Sequence, residues 1–330
     1  MKNQLKVGVL GVGRMGQRHC RVYSNMRNVH LFGVSDKNPE LGTRIGRTYD
    51  VPYFRDPDEL LSQVDAVSLA VPTPLHFEYA MMCLERGVNV LIEKPITETV
   101  EQAEKLVEAA EKSGLVVTIG HIERFNPAYM ELKNVVESMD VVTFDLRRLS
   151  PFEGSNKDVH VVLDLMIHDT NLVLDLVGHE PLSMHAHGVK VFSDNLDHAV
   201  ATMSFPNNVL VTMTSSRITE QKVRSLDVAC RQAFLQCDLM NKSILVKRAT
   251  IGENQNLNSR GVKYRQESVV ERIFVPGYEP LMLECQHFVD CIQGECKTEV
   301  SAMDGLRALK LAVPIRDACY QQLTEANVLL

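Results

Sequence analysis

"LKVGVLGVGRMGQRH", residues 5–19, decides the architecture of the first third of the chain. Leu5, Val7, Val9 and Leu10 read as a strand. Gly11, Gly13 and Gly16 follow at GxGxxG spacing, and a helical pattern begins at once. Strand, tight glycine turn and helix open a βαβ unit. In such a turn Gly11 supplies the tightness, Gly13 lets the backbone approach a pyrophosphate, and Gly16 lets the helix close on the strand. The helix start at Arg14 and Met15 presents free N–H groups to an anion. Glycines also make tight turns with no ligand involved, so a second feature is needed.

Asp36 supplies it. The residue ends the second β-rich run, "VHLFGVSD", about 20 residues beyond the last glycine, where a carboxylate hydrogen-bonds a ribose 2′-hydroxyl. A carboxylate there repels a 2′-phosphate, which favours NAD over NADP. Lys37 beside it softens that repulsion. The alternative for Asp36 is a turn or helix-capping residue, and the two roles can coexist.

From residue 1 to about 120, strands alternate with helices: LKVGVL, VHLFGVSD, DAVSLAV, VNVLIE and LVVTIG, separated by patterns such as "HFEYAMMCLERG" and "TETVEQAEKLVEAAEKSG". Alternation of this kind predicts a parallel sheet. Gly87 and Gly114 stop two of the helices. Beyond residue 141 the character changes. One apolar helix is followed by "HAVATMSF", "NVLVTMTSS", "VRSLDVAC", "QAFLQCDL" and "SILVKR" with turn signals between them, which predicts a largely antiparallel sheet. Helical patterns return at 279–293 and 301–323. The fold expected is α/β: an N-terminal Rossmann domain with a parallel sheet over 1–122, then an α+β domain with a large, mostly antiparallel open sheet over 123–330. The last helix is a candidate to pack back on the first domain.

A chain of 330 residues can bury two cores. The formal net charge of −7, with no long basic run, argues against nucleic acid as a partner. No stretch reaches the roughly 20 apolar residues of a membrane span, and the N-terminus does not read as a signal peptide. Eight scattered cysteines, without a CxxC pair or zinc-ligand spacing, predict free thiols in a reducing cytosol and no metal site. A cytoplasmic protein acting on a small molecule is the reading these features favour.

Two more strand ends carry polar residues. "AVPTPLHF" sets Pro72, Thr73, Pro74 and His76 in a loop stiffened by two prolines, suited to holding a cofactor ring. Its alternative is a rigid connection in which Thr73 caps the next helix and His76 is solvated. "VLIEKP" brings Glu93 and Lys94 out of a buried strand, with Pro95 fixing the direction. A lysine near a cofactor's positive ring and away from bulk water suits proton transfer or polarisation of a carbonyl oxygen. Taken alone, Glu93 and Lys94 would be an ordinary surface pair.

"DVHVVLDLMIHDTNLVLDLVG", residues 158–178, is apolar nearly all round, yet Asp164, His168, Asn171 and Asp175 fall on one helical stripe. Buried polar groups are costly unless paired or used. An Asp one turn before a His can hold the imidazole tautomer that a general base needs. The alternative is a structural His–Asp pair. Asp169 lies off the stripe, where it bonds a loop or the substrate.

"GVGRMGQRH", "PTPLH", "EKP" and a helix with Asp-x-x-x-His together resemble the glucose-fructose oxidoreductase / inositol dehydrogenase family (Gfo/Idh/MocA). The resemblance covers the first domain and the second through this helix. It implies a Rossmann domain, an α/β domain whose open sheet often forms oligomer contacts, and nicotinamide-dependent oxidation of a sugar or cyclitol hydroxyl. The family's lysine corresponds to Lys94 and its Asp–His pair to Asp164 and His168. "GHIERFNPA" and "VVLDLMIHD" look most like the sugar-nucleotide 3-dehydrogenases that act on UDP-N-acetylglucosamine. His121, Ile122, His160 and Asn171 depart from the pattern, which bears on the substrate more than on the reaction.

Together these residues imply one arrangement. NAD binds across Gly11, Gly13, Gly16 and Asp36, with its nicotinamide near Thr73, Pro74 and Lys94. His168, oriented by Asp164, takes the hydroxyl proton while Lys94 stabilises the alkoxide, or the two exchange roles. Arg124 and Asn126, with Asp169, are candidate substrate contacts, although an Arg so placed is more commonly in a salt bridge. A cyclitol or free-sugar dehydrogenase is the alternative within the same chemistry. A dinucleotide-binding sensor without catalysis is the alternative of another class. A homodimer or homotetramer is the expected assembly.

Overall fold

The structure, a computed structural model, describes residues 4–154, 158–248 and 269–328. The chain divides into two compact units, Met1–Phe125 with Tyr278–Pro314, and Asn126–Gly277 with Ile315–Leu330.

The first unit is built on a six-stranded parallel sheet. Its strands are β1 (Leu5–Leu10), β2 (Val29–Ser35), β3 (Tyr53–Phe54), β4 (Ala66–Leu69), β5 (Asn89–Glu93) and β6 (Val117–Gly120), in the order β3-β2-β1-β4-β5-β6. All the pairings are parallel, so all the carboxyl ends share one edge, and the order reverses between β1 and β4. Ligands bind outside such a switch point. The strands read continuously apolar because helices cover both faces of a parallel sheet. The two-residue β3 is too short for a periodic signal and was not legible in the sequence.

Helix starts and stops follow local chemistry. In α2 (Pro39–Tyr49) the Asn38 side chain accepts from the N–H groups of Glu40 and Leu41. In α5 (Val100–Ser113) Thr99 and Gln102 form a capping box, and Gly114 ends the helix at φ +67°. Helices α1 (Arg14–Ser24), α3 (Pro57–Leu61) and α4 (His76–Glu85) complete the βα units. Helix α8 (Pro280–Ile292) belongs to this unit although it lies far along the chain. Its Leu281, Cys285, Phe288 and Val289 are buried in one cluster with Val7, Val9, Cys20, Tyr23 and Val29.

The second unit carries an eight-stranded sheet in the order β14-β13-β12-β11-β7-β10-β9-β8 among the described residues. The strands are β7 (Val141–Leu149), β8 (Ser183–Val189), β9 (His198–Ser204), β10 (Leu210–Ser216), β11 (Val223–Cys230), β12 (Phe234–Asp238), β13 (Ser243–Arg248) and β14 (Val269–Ile273). Only β10 and β7 run parallel. Residues 249–268, inside the region read as sheet, lie outside the described residues. Strand β7 escaped the pattern reading because Asp145, Arg147 and Arg148 interrupt its apolar positions. Phe144, Leu146 and Arg148 are buried while Asp145 and Arg147 are exposed, which is the period of two expected of a half-covered sheet. Helices α6 (Pro127–Val136) and α7 (Ile167–Val177) pack on this sheet. Helix α9 (Ala302–Val328) runs on through Pro314.

Candidate active site

At the carboxyl edge of the parallel sheet the glycine turn is locked from both sides. Gly11 takes φ +82°, and a Cβ there would lie 2.7 Å from Ala70 O. A Cβ on Gly16 would lie 1.8 Å from Gly11 O, so only glycine lets α1 close on β1. Gly13 differs, because a Cβ there would meet nothing within 4 Å. The protein's own packing does not require glycine at 13. What a side chain would fill is the approach to the first turn of α1, which Gly13 begins without any side-chain cap. That open cradle of backbone N–H groups fits a pyrophosphate.

Asp36 stands beside this turn. Its Oδ2 accepts from Val12 N–H at 2.8 Å and its Oδ1 from Asn38 N–H at 2.8 Å. The carboxylate therefore ties the end of β2 to the glycine turn and serves as a turn residue, while remaining half-exposed at the sheet edge. Arg14 and Lys37 are exposed and Met15 is half-buried.

The 72–76 loop is a single 3-10 turn over Thr73–Leu75 leading into α4. Thr73 does not cap α4 with its side chain. Pro72 and Pro74 are exposed and Thr73 is half-buried. His76 is buried, not solvated. Its Nδ1 lies 2.7 Å from Pro95 O and its Nε2 2.9 Å from Val71 O, so the ring braces this loop against the one that carries Lys94. Burial drives its pKa down, and the carbonyls oppose that.

Glu93 and Lys94 are not a surface pair. Glu93 is 9% exposed, and its Oε1 lies 2.9 Å from Nε2 of the fully buried His19 on α1. Its Oε2 accepts from the Lys94 N–H at 3.3 Å. Glu93 thus fixes the backbone from which Lys94 leaves the sheet, and the Lys94–Pro95 peptide is cis. Lys94 itself is half-buried. Its charge and that of Arg124, after burial, push the fully buried His121 down to about 3, so this imidazole is neutral. Glu284 on α8 is also buried beside Glu93, and burial followed by the Glu93 charge raises its carboxyl well above the usual range. Sequence reading missed His19 and Glu284 as parts of this site. The signal available was a His three residues past Gly16 and a Glu within an apolar helix.

Arg124 is buried and donates from Nη2 to Glu299 Oε1 at 2.7 Å, the salt bridge that such an Arg commonly makes.

In the second unit the polar helix departs from the expected regular spiral. Val162–Met166 forms a π turn before α7 begins, so Asp164 sits in a widened turn and His168 in the first α turn. Both are half-buried. The stripe counted at 3.6 residues per turn divides there. Asn171 is buried, and Asp175 binds Lys133 Nζ at 2.9 Å and the Tyr129 hydroxyl. Neighbouring His160 is held down at about 4, by burial first and then by Arg316 and Arg217.

Two residues expected as substrate contacts have protein partners. Asn126 caps α6 through Ala128 N–H at 3.1 Å and donates to Leu239 O at 2.9 Å. Asp169 Oδ1 accepts from Arg148 Nε at 2.9 Å and Nη2 at 2.7 Å, with both residues buried. An Asp in an apolar helix facing a sheet is tolerated because the sheet supplies the guanidinium. The Arg148 that broke the pattern of β7 is that partner.

Among the described residues His287, Cys291 and Cys296 form a cluster with metal-ligand potential, which the sequence spacing did not suggest. Among the described residues no helix is long and apolar enough to cross a membrane.

Residues 5–121 match a family described as an oxidoreductase family with an NAD-binding Rossmann fold, and residues 143–236 match the GFO/IDH/MocA C-terminal domain. UDP-N-acetylglucosamine 3-dehydrogenase of Acidithiobacillus ferrooxidans is 31% identical over 314 residues, 95% of this chain and 97% of its own length. A solved structure of that enzyme superposes with a TM-score of 0.86 at 29% identity, covering 96% of this chain and 97% of its own. scyllo-Inositol 2-dehydrogenase (NAD+) of Bacillus subtilis is 22% identical across 95% of this chain and 93% of its own. With both halves of the family's architecture matched in order, the chain belongs to the Gfo/Idh/MocA oxidoreductase family.

Proposed function

We propose that the chain oxidises the 3-hydroxyl of UDP-N-acetylglucosamine or a closely related sugar nucleotide, with NAD as acceptor. The observation that carries the cofactor reading is Asp36, the residue after β2, bonded to the glycine turn, where a carboxylate bonds a ribose 2′-hydroxyl and repels a 2′-phosphate. The substrate reading is supported by the 31% identity to the sugar-nucleotide enzyme, against 22% to the inositol enzyme.

His168 takes the hydroxyl proton, Asp164 holds its imidazole, and the Lys94 ammonium stabilises the developing alkoxide. Glu93 and His76 hold the backbone that aims Lys94. When bound, the nicotinamide supplies the acceptor for the electron pair leaving the carbinol carbon. His168 is the substrate contact carried forward, since Arg124, Asn126 and Asp169 are held by protein partners. The chain works in the cytosol, in keeping with its eight free thiols. It assembles as a homodimer or homotetramer through the open face of the eight-stranded sheet.

The test is absorbance at the NADH band with NAD and UDP-N-acetylglucosamine, its uronic acid, inositol and simple hexoses. Signal with the sugar nucleotide, lost by about 10²–10⁴-fold in Lys94→Ala and His168→Ala, supports the proposal. Signal with inositol alone replaces the substrate and keeps the mechanism.

A further inference from the structure

Apart from the expected active-site residues, α8 and the loop after it bring together His287, Cys291 and Cys296. His287 and Cys291 lie one turn apart on the same helical face. The helix then ends in a Schellman-type reversal: Gly294 takes φ +75°, its N–H donates to Cys291 O at 3.0 Å, and Glu295 N–H donates to Asp290 O at 2.9 Å. That reversal carries Cys296 back over the helix. Its Sγ lies 3.4 Å from Cys291 Sγ and 3.5 Å from His287 Nδ1.

Two observations say what the cluster does. The first is the imidazole tautomer. Glu299 N–H donates to His287 Nε2 at 2.9 Å, so Nε2 is the acceptor and the ring proton resides on Nδ1, facing Cys296. A lone pair already used by a backbone N–H is a poor metal ligand, and the Nδ1–H turned toward Cys296 Sγ holds that sulfur beside Cys291. The ring also packs against Phe125, tilted at 46° with centroids 5.2 Å apart, which limits its rotation. The second observation is the division of exposure. Cys296 is exposed and Cys291 is buried. Burial first, and the hydrogen bond with Cys296 next, push the Cys291 thiol up to about 12.

We propose that Cys296 and Cys291 are a redox-active thiol pair that closes reversibly to a disulfide when a hydroperoxide reaches Cys296. The Cys296 sulfur attacks the terminal peroxide oxygen, the O–O bond breaks, and the departing hydroxide, or the alkoxide of an organic hydroperoxide, takes up the Cys296 thiol proton and leaves as water or alcohol. The Cys291 sulfur then attacks the Cys296 sulfenic acid. The S–O bond breaks, an S–S bond forms, and the hydroxide leaves as water with the Cys291 proton. Two sulfurs are each oxidised by one electron, and the peroxide is reduced by two. A dithiol reductant such as dithiothreitol reverses the step. Closure needs the sulfurs to move from 3.4 Å to bonding distance, a short displacement for a side chain on a loop.

The experiment treats the purified full chain with a small excess of hydrogen peroxide, quenches with iodoacetamide, and reads intact mass and peptides. The expected result is loss of two hydrogens with a 291–296 crosslink, reversed by dithiothreitol. Cys291→Ser should instead leave Cys296 as a sulfenic acid trapped by dimedone. Cys296→Ser, at an exposed position, should remain folded and show no crosslink. Oxidation of Cys296 directly to sulfinic acid in the unaltered chain, or a crosslink through other cysteines, overturns the proposal. So does zinc, added alone, remaining in stoichiometric amount through dialysis and shielding both thiols, which would make the cluster a metal site.

Discussion

Glu93 Oε1 lies 2.9 Å from His19 Nε2, joining the last residue of β5 to the second turn of α1 beneath the edge of the parallel sheet. One carboxylate thus ties the cofactor-turn helix to the backbone of Lys94. Removing a buried charge-assisted bond costs about 1.5–3 kcal/mol. Glu93→Ala is therefore expected to lower stability by about that much in urea unfolding, and to reduce turnover with Lys94 still present. A variant with unchanged midpoint and rate would show that the pair does neither.

Glu284 is the counterpart on α8, buried and raised well above its ordinary 4.5, by burial first and then by the Glu93 charge. A carboxyl whose folded-state pKa is raised stabilises the fold at low pH and loses that contribution as pH rises above 4.5. Glu284→Gln, which mimics the neutral acid, should be close to wild type at pH 4.5 and more stable than wild type at pH 8. Urea midpoints at the two pH values measure the difference.

His121 and His160 act in the opposite sense. Their folded values, about 3 and about 4, lie below the ordinary 6.5, so the stability they contribute is complete above 6.5 and is lost as pH falls toward those values. At pH 5 each neutral histidine should cost about 2 kcal/mol relative to pH 8. His121→Gln should flatten the stability profile between pH 6.5 and 5 by one proton's worth. An unchanged slope would mean that His121 takes up a proton in the folded state.

The Arg148–Asp169 pair is buried on both sides. Asp169→Asn leaves a guanidinium short of its charge partner and should cost about 3–5 kcal/mol, as should Arg148→Met. The double variant should recover much of the loss. Additive losses in a double-mutant cycle by thermal unfolding would exclude coupling between the two.

Asp36→Ala should weaken NAD binding by about 10–100-fold, the range of a lost hydrogen bond to a charged group, and narrow the preference over NADP. Isothermal titration with each dinucleotide reads both. Equal loss for NAD and NADP would leave Asp36 only its turn role.

What the sequence determined by itself was local or periodic. The glycine spacing after a β run, the helix stops at Gly87 and Gly114, and the alternation of strands with helices each depend on residues within a few positions of one another. They predicted the parallel sheet and its functional edge. The change to period-two segments after residue 141 predicted the antiparallel sheet for the same reason. Strands whose alternation is broken by charge, β7 above all, were not legible, because the partner that makes Arg148 tolerable is brought to it only by the fold. The pairing of Glu93 with His19 spans 74 residues, and that of Arg124 with Glu299 spans 175. No spacing rule reaches so far. The tertiary structure also decided that Glu93 is buried and held by a histidine, that Asn126 and Asp169 bind protein groups, and that Asp164 lies in a π turn while His168 lies in the first turn of the α-helix. Local sequence sets which conformations are available, whereas the partner of a buried polar group is settled by whatever the packed chain brings within hydrogen-bond reach, since leaving it unpaired costs too much.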